Sequence, residues 1–190
     1  MPMINPPHRA TIRTLPAIVS EGEALCQFRS TRLPSLVWRL GNGPLRRIAP
    51  VYLPFGLYRL QYELGRTCYT RFVALDHVEG VLDLFEFPDA LSDRDLLPVE
   101  TRNKIGPTLS AERAESLLRE KVMRLVFQQG LFRLRRPQLD LCCIINQFHI
   151  PYWLGFYGKD GSLRCRALDA VRRRMEGPKA TFLFERWLAG

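Results

Sequence analysis

The chain has 190 residues, 46% of them hydrophobic and 25% charged, and a formal net charge of +9; this excludes a disordered polymer and leaves enough chain to bury a core. No apolar run approaches the roughly 20 residues that span a bilayer. The first residues lack the basic-then-apolar pattern of a signal peptide, so a soluble, cytoplasmic protein is expected.

Residues 1–19, with Pro2, Pro6 and Pro7, read as an extended or poorly ordered arm. Ser20 and Glu23 have the spacing of a capping box, and Ala24, Leu25 and Phe28 supply the apolar face of a helix. A short apolar piece, Leu36 to Trp38, runs to a turn at Gly41-Asn42-Gly43-Pro44. From Val51 to Glu63, Tyr58, Leu60 and Tyr62 alternate with Arg59, Gln61 and Glu63, the period of a half-buried strand. Leu64-Gly65-Arg66 turns the chain, Thr67 to Leu75 returns, and Val81 to Phe87 reads as a third strand stopped by Pro88.

Residues 89–109 read as an acidic connector. Asp76 to Glu100 holds eight acids against one base, Arg94, so this stretch is −7 and the remainder +16. Ser110 then caps the best helix, with Ala114, Leu117, Leu118, Val122, Leu125 and Val126 on one face and Gly130 as its stop. Leu139 to Phe148 reads as a fully buried strand, and Ile150–Tyr157 with Ser162–Leu168 as a second hairpin turning at Asp160-Gly161. Pro178 starts a last helix carrying Phe182, Leu183, Trp187 and Leu188.

The two halves echo one another. Val51 to Tyr58 resembles Ile150 to Tyr157, with Gly56 and Tyr58 matching Gly155 and Tyr157 at an offset of 99. Ala74-Leu75-Asp76 matches Ala167-Leu168-Asp169 at 93, Glu79-Gly80 matches Glu176-Gly177 at 97, and Leu84-Phe85-Glu86 matches Leu183-Phe184-Glu185 at 99. The fold class expected is α+β: an internal tandem duplication of a helix plus antiparallel β-hairpin unit, 20–88 and 110–190, packed about a pseudo-twofold axis.

The chemistry is sparse. Asp76 and Asp169 are expected to cap the turns after their strands, and His77 to lie exposed. Glu79 and Glu176 are a remote acid/base pair. There is no phosphate-binding loop and no nucleophile elbow. The five cysteines, 26, 68, 142, 143 and 165, lack disulfide or zinc spacing and read as small buried hydrophobes. No cofactor and no metal are expected.

Arginines dominate the bases, 24 against four lysines, which suits interfaces as well as a GC-rich coding bias. Candidate interaction residues are the basic clusters Arg133, Arg135 and Arg136 and Arg172, Arg173 and Arg174, with Arg164 and Arg166 between them. The aromatics Tyr52, Phe55, Tyr152 and Trp153 either stack on a ligand or seal the sheet against the core. The favoured reading is a non-catalytic interaction or adaptor protein, an accessory subunit with a protein partner. Nucleic-acid binding is the alternative, an enzyme of unrecognised type comes after it, and a homo-oligomer is compatible with either binding reading.

Overall fold

The computed structural model describes residues 9–30, 38, 40–64, 67–128, 139–159 and 162–189. They form a mixed α+β structure. In chain order the elements are β1 (Ala10–Thr14), α1 (Glu21–Arg29), β2 (Leu45–Leu64), β3 (Thr67–Asp76), β4 (Phe85–Phe87), a 3-10 turn at Asp93–Asp95, β5 (Leu97–Thr101), α2 (Ala111–Gln128), β6 (Leu139–Lys159), β7 (Ser162–Asp169), β8 (Arg174–Met175) and α3 (Pro178–Ala189). Among the described residues, no helix is long and apolar enough to cross a membrane.

The chain folds into two compact units that interleave in sequence. The terminal unit comprises Met1–Leu53, Leu97–Ile105 and His149–Gly190; the central unit comprises Pro54–Leu96 and Gly106–Phe148. Strands β2 and β6 each contribute a segment to both.

In the central unit, β2 and β3 pair antiparallel from Phe55↔Asp76 to Leu64↔Thr67, and β4 adds to the other edge of β3. Tyr58 and Leu60 of β2 and Val73 and Leu75 of β3 share the inner face, where they bury against Ala114, Leu118 and Val122 of α2. Ser110 caps that helix, its Oγ accepting from the Arg113 N–H at 3.3 Å. Each fully buried aliphatic side chain contributes about 1.5–3 kcal/mol, so this helix is held by its stripe more than by its propensity.

In the terminal unit, β6 pairs β7 antiparallel from Tyr152↔Asp169 to Lys159↔Ser162, and β8 follows on β7. β1 joins β6 in parallel at Thr14↔His149 and pairs β5 antiparallel from Ala10↔Thr101 to Thr14↔Leu97. The capping box of α1 forms as read: the Glu23 N–H donates to Ser20 Oγ, and the Ser20 N–H to Glu23 Oε2 at 2.8 Å. Ala24 and Phe28 bury with Val19, Tyr157, Leu168 and Ala170. Gly155 leaves room for the Phe28 ring; a Cβ there would stand 2.7 Å from Phe28 Cδ1.

Each unit thus joins the helix of one predicted repeat to the hairpin of the other: α1 packs on β6 and β7, α2 on β2 and β3. The two hairpins can be compared by their hydrogen-bond registers. The His77 N–H donates to Pro54 O, and the Ala170 N–H to Pro151 O. Phe55 and Tyr152 lie opposite the two aspartates, an offset of 97. At the turns, Leu64 and Thr67 correspond to Lys159 and Ser162, an offset of 95. The first hairpin is longer by two residue pairs, one pleat, which leaves every side chain on its own face.

Three expectations need correction. Residues 142–144, 146 and 147 of β6 are exposed rather than buried, and full burial begins at Phe148. An apolar run does not supply its own second covering layer; only Leu139 and Leu141 of this stretch reach the α2 cluster. Four of the five cysteines are exposed, and only Cys165 is buried. Of the strand expected over Val81–Phe87, only Phe85–Phe87 forms, because Asp76 captures the N–H groups of Glu79, Gly80 and Leu82 and bends the chain. Gly80 takes φ 66° there, a conformation that glycine adopts at no steric cost. Within the acidic connector, Leu97–Thr101 forms β5, the partner of β1.

Candidate functional site

The two aspartates that end the hairpins form matching corners. Asp76 Oδ1 accepts from Glu79 N–H at 2.9 Å and Gly80 N–H at 2.8 Å, and Oδ2 from Leu82 N–H at 2.9 Å. Asp169 Oδ1 accepts from Val171 N–H and Arg172 N–H at 2.8 Å, while Oδ2 takes the Arg172 guanidinium at 2.6 Å. Both carboxylates are buried, and each holds backbone N–H groups of the following turn, which is the turn-capping role read from the sequence.

Contrary to the expectation of an exposed ring, His77 is buried, 5% accessible. Its backbone carbonyl accepts from Thr108 and Leu109 N–H, and its Nε2 lies 3.0 Å from Tyr58 Oη. Burial lowers its pKa, opposed by the Asp76 charge. A Cβ on Gly56 would run into the imidazole, so this ring takes the place at the Gly56 backbone that Phe28 takes at Gly155. Burial pushes the Tyr58 phenol up to about 12, with Cys143 and Glu115 adding to it. The Cys143 thiol is also raised by burial, and Cys165 is pushed up to about 12. Thiols shifted in that direction are poor nucleophiles. Among the described residues, no group of three or more His, Cys, Asp and Glu side chains is gathered as a metal site.

The predicted interaction residues fare unevenly. Arg133, Arg135 and Arg136 lie outside the described residues. Phe55 and Tyr152 are fully buried, and so are withdrawn from any ligand. Tyr52 and Trp153 are half-buried; the Trp153 indole donates to Val19 O at 2.9 Å. Arg164 pairs with Glu185 at 3.4 Å, and Arg166 lies over the Trp38 ring at 5.5 Å. Arg172 bridges Asp169 and Glu176, Arg173 reaches Glu23, and Arg174 reaches Glu176. Burial holds the Glu176 carboxyl above its usual range against the pull of Arg172 and Arg174. The densest basic run in the sequence is therefore engaged by the molecule's own carboxylates.

The positive charge is nevertheless concentrated. The terminal unit holds 17 Arg and Lys against 7 Asp and Glu, or +10; the central unit holds 11 against 12, or −1; together they give the +9 of the chain. Part of that excess sits on the β1–β5 ribbon. Ile12 and Thr14 point into the core, so Arg9, Thr11 and Arg13 point outward, and all three are exposed. Ala10 pairs with Thr101, which brings Arg102 to the Arg9 end; Arg102 and Lys104 are exposed as well. Behind the ribbon, His149 is 4% accessible, with Nδ1 3.3 Å from Arg13 O and Nε2 unpartnered. Burial lowers its pKa; Arg13 O opposes this and the Lys104 charge adds to it. Sequence density did not find this patch, because it is assembled from segments about 90 residues apart by a pairing with no local signature.

No protein-family model, curated protein or solved structure matches this chain.

Proposed function

We propose that this chain is a non-catalytic interaction protein, an accessory subunit whose basic terminal unit docks on an acidic surface of a partner protein in the cytoplasm. The observation that carries this reading is the partition of charge, +10 in one unit and −1 in the other. Such a field steers association and selects partners of opposite sign. The exposed ribbon residues Arg9, Arg13, Arg102 and Lys104 are the contact we assign first. The tandem duplication belongs to the same proposal: two copies of a helix–hairpin unit exchanged helices, and one copy kept the basic surface. The shared Pro-carbonyl and Asp corner of the two hairpins supports that descent.

Size-exclusion of a native lysate tests the reading. The complex is expected well above the 22.0 kDa of the free chain, resistant to nuclease and dissociated by salt. Elution as a free monomer at low salt overturns it. Nucleic-acid binding is the second reading, favoured by the arginines along a two-stranded ribbon; collapse of the complex on nuclease treatment selects it.

A further inference from the structure

Among the described residues, strand β3 has an open edge. It pairs with β2 along all ten of its residues, while β4 covers only Phe72, Val73 and Ala74 on the other side. The next pair in that ladder would place Pro88 opposite Arg71, and proline has no N–H to give, so β4 stops there. Thr67 to Arg71 are all exposed. Leu64 and Thr67 flank a two-residue connection, so their pair exchanges hydrogen bonds, as does every second pair after it. Cys68 and Thr70 consequently turn their N–H and C=O groups to the open edge.

Natural edges are blunted by proline, lysine or a bulge. Here Thr-Cys-Tyr-Thr-Arg carries none of these, and its one charge is engaged: Arg71 bonds Tyr62 Oη at 3.1 Å and pairs with Glu86 at 3.2 Å. A groove of about 370 Å³ lies along this edge, between Tyr69–Phe72 and Glu86–Pro88. Tyr69, 41% accessible, stacks on Tyr62 with centroids 5.5 Å apart and forms a firm aromatic wall.

We propose that this edge takes an extended peptide of a partner protein by strand addition, antiparallel to β3 and in line with β4. The main-chain bonds go to Cys68 and Thr70, and alternate side chains of the peptide pack on Tyr69 and Phe87. The peptide is uncharged where it enters the groove, because Arg71 and Glu86 both line it and neutralise one another at 3.2 Å. This site lies wholly in the central unit and does not depend on the basic ribbon.

A displayed library of random nonapeptides, selected on the full chain, tests it. The selected peptides are expected to be extended and free of proline at alternate positions. They should slow amide exchange of Cys68 and Thr70 about tenfold and leave α1 amides unchanged. Thr70→Pro removes an outward N–H and should weaken binding about tenfold; should that variant fail to fold, the exchange readout on the unaltered protein decides. Selection of no peptide, binding that leaves both amides unprotected, or a dimer protecting these amides without peptide overturns the proposal.

Discussion

The two Asp corners use one device and finish it differently. In both, one carboxylate oxygen holds two backbone N–H groups after the strand. The third donor is Leu82 N–H in the central unit and the Arg172 guanidinium in the terminal unit. The difference teaches that a basic run in a sequence is not by itself a binding surface. Arg172 completes a turn, while the ribbon arginines, dispersed in sequence, face solvent.

The sharpest way to break the comparison is to neutralise both carboxylates. Asp169→Asn turns an amide donor toward Arg172, which keeps only Glu176 of its two carboxylates; it should cost about 3 kcal/mol in urea unfolding. Asp76→Asn leaves one backbone N–H without an acceptor and should cost about 1–3 kcal/mol. Equal costs would mean that Arg172 is not part of the corner. Next, Gly155→Ala forces a Cβ against the Phe28 ring and should cost about 1–3 kcal/mol; adding Phe28→Leu should recover part of that loss.

Acid acts on the buried histidines. His77 and His149 both have pKa values lowered by burial, so in the folded chain they stay neutral below the pH at which the unfolded rings protonate. The unfolded state then binds the extra protons. Stability should be level above about pH 6.5 and fall below it, by up to about 1.4 kcal/mol per pH unit for each histidine. His77→Asn should remove its share of the slope, measured as the urea midpoint between neutral and mildly acid pH. The terminal corner has Ala170 in that place and so lacks the histidine share of the slope. The smallest effects are Tyr58→Phe and Tyr157→Phe, about 1 kcal/mol each. The first loses the contact to His77 and the second the bond to Phe28 O, and only the first should alter the pH slope.

Local signals in the sequence placed much of this fold. The Ser20/Glu23 box, the Ser110 cap, both hairpins and both aspartate turns stand where spacing and alternation put them. What could not be read was long-range. Nothing local tells that Phe28 seeks Gly155, or that Leu97–Thr101 inside an acidic stretch pairs with Ala10–Thr14. The basic ribbon depends on that second pairing and was illegible for the same reason. The arginine run at 172–174 stood out by density, but its carboxylate partners Glu23 and Asp169 become neighbours only on folding.

The most direct measurement of the central claim is the affinity of the purified chain for poly-glutamate at low salt, compared across three proteins. If the ribbon is the docking surface, Arg9→Ser/Arg102→Ser/Lys104→Ser loses about tenfold in affinity, whereas Arg173→Ser/Arg174→Ser stays close to the unaltered chain. The opposite order, with the corner arginines dominating and the ribbon silent, would contradict the account.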